Sequence, residues 1–132
     1  MTHYKCNHSY DLKLKIIISA KKYCPEGWGE SFAEYCYLAT TEEMSWGDAR
    51  SFCKDNQSTS DLVTIKSPYE NNYIKKIAKN QQTRLWIGLT DSLAEGSWQW
   101  IDDTNTNSWS NWAQGEPNGD RRENCGNILD FL

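Results

Sequence analysis

Five cysteines set the first limit on what this chain can become. Cys6, Cys24, Cys36, Cys53 and Cys125 are far apart, and no two of them make the short C-x-x-C spacing of a zinc site or redox motif. Widely spaced cysteines in a chain rich in tryptophan point to disulfides, and so to an oxidising compartment. The count is odd, which leaves at least one thiol without a partner inside the chain. Two glycosylation acceptor triplets, Asn7-His8-Ser9 and Asn56-Gln57-Ser58, agree with such a compartment.

A length of 132 residues allows one domain with a modest core. Seven tryptophans and seven tyrosines supply much buried area per residue, so few positions are needed to build that core. The net charge of −4, with no basic stripe, argues against a nucleic-acid partner. Nothing approaches the length of a membrane span, and Ile16-Ile17-Ile18, flanked by lysines, is too short for the apolar part of a signal peptide.

The texture changes near Cys24. Residues 1–22 read as a polar, Lys-rich N-terminal extension, in which Leu12, Leu14 and Ile16 alternate with polar residues and would make at most one strand. Residues 23–132 read as the domain. Gly27 and Gly29 are turn formers, and Phe32, Tyr35 and Tyr37 are sheet formers. A Cys24–Cys36 bond would close this piece as a hairpin and contribute roughly 3 kcal/mol by restricting the unfolded chain.

Two helices follow. Ser45 with Asp48 resembles a capping box, and Trp46, Ala49, Phe52 and Cys53 then share one face. Ser67, Pro68 and Glu70 give an N-cap, a proline in the first turn and an acid, with Tyr73, Ile74, Ile77 and Ala78 as the buried face. Leu85 to Leu89 is a short apolar run suited to a buried strand. Trp98 and Trp100 alternate onto one face and read as core. The remaining loops, rich in Asp, Asn, Gly and Ser, are long for so small a domain, and loops of that kind are usually functional.

One of them, "NWAQGEPNGDRRENC", gathers Glu116, Asn118 and Glu123 beside Trp109 and Trp112. These are hard oxygen donors of the type calcium takes, six to eight at a time. Pro117 between them fixes one backbone angle, and a cis bond there would turn its two neighbours toward one point. A second acid pair, Asp91 and Glu95, follows the buried strand. On spacing alone, acids in Gly/Pro loops are ordinarily just solvated. The two tryptophans read as the base of the loop, and Arg121-Arg122 as exposed. Nucleophilic catalysis has no visible base, since His3 and His8 both lie in the polar lead. A carboxylate pair of the glycosidase kind would need a cleft that this chain is too small to form.

Taken in order, Cys24 with Cys36, the two helices, Trp86-Ile87-Gly88-Leu89, "NWAQGEPN" and "ENC" resemble the C-type lectin-like domain. The resemblance covers about residues 23–132. It is to the long form with an extra N-terminal hairpin disulfide, and to mannose-receptor-like members with a Glu-Pro-Asn motif. It implies an α+β fold: two helices, small antiparallel sheets and a long loop region, stapled by disulfides. It implies an extracellular, non-enzymatic, calcium-dependent carbohydrate-binding module, secreted or part of a receptor ectodomain. Its partners would be glycans on glycoproteins or microbial surfaces, or alternatively a protein ligand.

The same resemblance implies site residues. Glu116 and Asn118, with a cis proline between them, and Glu123 would hold the principal Ca2+ and hydrogen-bond two adjacent sugar hydroxyls. The Glu-Pro-Asn order implies mannose, fucose or N-acetylglucosamine over galactose. Asp91 and Glu95 match positions of an auxiliary calcium site, to which Asn124 would belong, with Gly119 and Asn124 standing where acids are common. In the family a Trp-Asn-Asp segment on the next strand adds two ligands, and two later cysteines pair with the equivalents of Cys53 and Cys125. This sequence stops at Leu132 before those features, so the resemblance implies a domain without its C-terminal strands and an unpaired Cys53. Asn127 and Asp130 are no substitutes, because alternation carries them away from the loop.

Overall fold

A computed structural model describes residues 1–4, 15–21, 24, 28, 35–40, 42–56, 59–82, 84–107, 109–119 and 122–128, with the backbone alone for 2–4, 15–21 and 81. The elements are β1 (Thr2–Tyr4), β2 (Lys15–Lys21), β3 (Tyr35–Ala39), α1 (Trp46–Asn56), β4 (Asp61–Leu62), α2 (Pro68–Gln81), β5 (Leu85–Thr90), β6 (Gln99–Trp100) and β7 (Cys125–Ile128).

Both helices start where side chains satisfy their first free amides. At α1 the Ser45 hydroxyl accepts from Asp48 N at 3.2 Å and donates to Asp48 Oδ2 at 2.7 Å. At α2 Ser67 Oγ accepts from Glu70 N at 3.1 Å, with Pro68 in the first turn. The Glu70 carboxylate also accepts from Tyr37 Oη and from Lys66 N, both at 3.0 Å, which ties the start of α2 to β3. Burial first, then the Glu70 charge, pushes the Tyr37 phenol well above its ordinary value.

Among the described residues the strands form one sheet in the order β1-β7-β5-β2-β3, with β4 paired to β2 and β6 to β5. Pairing is antiparallel except between β2 and β5, where Lys15 faces Leu85 and Ile16 faces Trp86. β5 is covered on both sides, which explains its unbroken apolar run. Leu85, Ile87 and Leu89 join a core with Val63, Ile74, Ala78, Trp98 and Trp100. Trp86 joins a second core with Trp46, Ala49, Cys53, Leu62 and Cys125. Gly88 is required between them: a Cβ there would lie 2.7 Å from Ile101 Cδ1 and 3.1 Å from the Leu62 carbonyl oxygen.

The largest difference from the sequence expectation lies in the lead. Two stretches of residues 1–22, read above as an extension, are strands of the sheet. β1 pairs with β7, Thr2 opposite Asn127 and Tyr4 opposite Cys125. β2 lies between β5 and β3. The physical reason is that β7 and β5 expose backbone groups that need partners, and the lead supplies them.

Cys24 and Cys36 are bonded, with Cα atoms 5.2 Å apart. Phe32, Gly27 and Gly29, expected in the same piece, lie outside the described residues. Cys125 is also disulfide-bonded. Cys53 is a free, buried thiol. Burial first, then the Asp61 charge, pushes it up to about 12, so it stays protonated at pH 8. Because the thiolate is the nucleophile, an alkylating reagent at pH 8 is expected to leave native Cys53 unmodified and to label it once denaturant opens the core. Peptide mapping checks this; rapid labelling of the folded protein contradicts it.

Candidate carbohydrate-binding site

The loop that carries the sequence-predicted residues leaves the core at Trp109 and Trp112, both packed against the first cluster. The Trp112 ring meets Trp98 edge-on, with centroids 4.9 Å apart, so the two tryptophans form the loop's base as expected. Ala113-Gln114-Gly115-Glu116 then turns: Glu116 N donates to Ala113 O at 3.0 Å, and Gly115 sits at φ +85°, where a side chain is disfavoured. The Glu116–Pro117 bond that follows is cis. Glu116 is half-buried, with Oε2 closed off from solvent, while Asn118 is exposed and Glu123 half-buried.

Met1 reaches this loop from the other end of the chain, a contact that local sequence patterns do not signal. Its nitrogen donates to Asn111 O at 2.7 Å, and its carbonyl accepts from Ala113 N at 3.0 Å. Burial, helped by the Lys75 charge, pushes the Met1 amine down to about 6, while the Glu116 carboxylate pulls the other way.

The structure joins two of the residues named for an auxiliary site. Asp91 is only 2 % exposed. Its Oδ1 accepts from Asn124 Nδ2 at 3.0 Å and its Oδ2 from Gly96 N at 2.8 Å, while Asp91 N donates to Asn124 O at 3.2 Å. Both carboxylate oxygens thus hold the 91–96 loop against the residue before β7. Glu95 is exposed in that loop and Gly119 is half-buried. Asn127 is fully buried in β7, facing β1, and Asp130 lies outside the described residues, as does Arg121; Arg122 is exposed.

As a donor set for calcium, Glu116, Asn118 and Glu123 are right in kind: hard oxygens from two carboxylates and an amide. Their number is small for an ion that takes six to eight oxygens. Among the described residues no group of three or more His, Cys, Asp or Glu is arranged to hold a metal ion. Nor is any helix there long and apolar enough to cross a membrane.

The family model for the lectin C-type domain matches residues 42–131, which takes in both helices, β4 to β7 and the Glu116 loop. The chain belongs to the C-type lectin family. It is similar to human C-type lectin domain family 17, member A, with 39% identity over 102 residues, 77% of this chain and 26% of that protein. It thus spans about a quarter of that relative. Among solved structures, the carbohydrate-recognition domain of mouse scavenger receptor C-type lectin matches with 36% identity and TM-score 0.72, over 80% of each chain. The cow CD23 domain, studied in the presence of a GlcNAc2Man3 oligosaccharide, matches with 34% identity and TM-score 0.69, over 82% of this chain and 80% of that one. C-type lectins form a non-enzymatic carbohydrate-binding family, and this chain is accordingly a binding module and not an enzyme.

Proposed function

We propose that this C-type lectin domain is an extracellular module that binds mannose-, fucose- or N-acetylglucosamine-type glycans in a calcium-dependent way. Glu116, Asn118 and Glu123 are the residues that would hold the ion. Calcium bound there would supply coordination for two adjacent sugar hydroxyls, and the same three side chains would hydrogen-bond those hydroxyls. The observation that carries this reading is the turn at Gly115, closed by the Glu116 N–Ala113 O hydrogen bond, which leads into a carboxylate and an amide on either side of Pro117. The cow CD23 domain with its mannose-containing oligosaccharide supports the sugar class. Because Asp91 is already satisfied by protein donors, the reading rests on the Glu116 site and needs no ion at Asp91 or Glu95. A glycan array run with and without a chelator tests it. Mannose-type binding that vanishes on chelation is the expected result; binding that survives chelation overturns it.

A second reading is a lectin domain that recognises a protein. It is favoured by the small number of oxygen donors around the Glu116 loop, three side chains against the six to eight that calcium takes. It predicts a protein ligand that free mannose does not displace.

A further inference from the structure

We infer that β1 belongs to the scaffold of the Glu116 loop, and that Met1 is the positioning residue which sets it. This deepens the carbohydrate-binding reading and rests on it for the affinity readout alone. The loop from 109 to 119 has no helix or strand of its own, so something outside it must fix its path. Two hydrogen bonds in series do so. Met1 O accepts from Ala113 N, and Ala113 O accepts from Glu116 N, each at 3.0 Å. The Met1 nitrogen adds a third bond, to Asn111 O.

Met1 is itself immobilised at both ends. Its side chain is 8 % exposed and belongs to the core cluster that contains Trp98, against which Trp112 packs. Its carboxyl end continues into β1, zipped to β7 over three residue pairs. β7 begins at Cys125, two residues after Glu123, the third candidate ligand. One short strand therefore braces both segments of the proposed site, the 111–118 loop through Met1 and the 123–125 segment through Tyr4 opposite Cys125. A preorganised loop binds more tightly because less ordering remains to be done when the ligand arrives.

The test compares Met1→Ala with the conservative Met1→Leu in the full chain, each produced behind a cleavable tag. Amide hydrogen exchange reads the scaffold directly. In Met1→Ala the Ala113 and Glu116 amides are expected to exchange about tenfold faster or more, while those of α2 and β5 keep their protection. Calcium-dependent affinity for mannose should fall about tenfold, and Met1→Leu should restore both. Unchanged exchange at Ala113 and Glu116 overturns the inference. So does an equal loss of protection in the loop and in α2, which would make Met1 an ordinary core residue. Should Met1→Ala fail to fold at all, Met1→Val is read by the same comparison. If the unmodified chain binds no mannose, the carbohydrate reading falls, and the exchange comparison decides the scaffold by itself.

Discussion

Replacing Glu116 by Ala is expected to abolish calcium-linked sugar binding and leave the fold intact. The Glu116 backbone is held by the turn before it, through its hydrogen bond to the Ala113 carbonyl. Its carboxylate, partly withdrawn from water, is a hard oxygen donor of the kind calcium takes. Changes to residues that merely support a metal ligand commonly cost 10–100-fold, so loss of a ligand should weaken mannose binding by at least about 100-fold. Glu116 belongs to neither core cluster, so helix content and melting temperature should hardly move. Glu116→Gln separates charge from shape: it keeps an oxygen donor and should retain only weak binding. Calcium affinity of Glu116→Ala equal to that of the parent, measured by calorimetry, would contradict the assignment.

Much of the frame is legible in the sequence because it depends on neighbours. Ser45 and Asp48 are three residues apart, Ser67, Pro68 and Glu70 span one turn, and their hydrogen bonds form within that turn. The apolar run of β5 needs only burial on both faces to explain it. The Glu-Pro-Asn motif likewise announces itself in three consecutive residues.

The lead is different. Lys15–Lys21 carries lysines at both ends and looks like a surface segment, yet it is an interior strand of the sheet. Its place follows from pairing with β5 some 70 residues away, and backbone pairing leaves little mark on composition. Met1 was invisible for the same reason, since its partners are Asn111 and Ala113. Asp91 shows the limit at the site. Spacing puts an acid after β5, but only the fold shows that its oxygens face Asn124 Nδ2 and Gly96 N.

Trp86→Ala should cause the largest loss of stability. The side chain is fully buried in the second core, which it shares with Trp46 and Cys53 of α1 and Leu62 of β4. Its Nε1 donates to Met44 O at 2.9 Å, while Trp46 Nε1 donates to Ile87 O at 2.8 Å, so the two indoles lock α1 and the segment before it onto β5. Truncation removes the buried area, leaves a cavity and frees the Met44 carbonyl; such changes cost about 3–5 kcal/mol. A domain of this size has roughly 5–15 kcal/mol in all, so the variant should sit near the edge of unfolding, with a melting temperature lower by about 10–20 °C. Trp86→Phe keeps most of the volume and should lose distinctly less. The effect reaches the binding loop indirectly: β5 is the strand that pairs β7, and its end at Thr90 and Asp91 anchors Asn124, so loosening β5 also loosens the segment carrying Glu123. Urea denaturation decides it, and a loss below about 1 kcal/mol would mean that the second core repacks around the gap and that β5 is held chiefly from its other face.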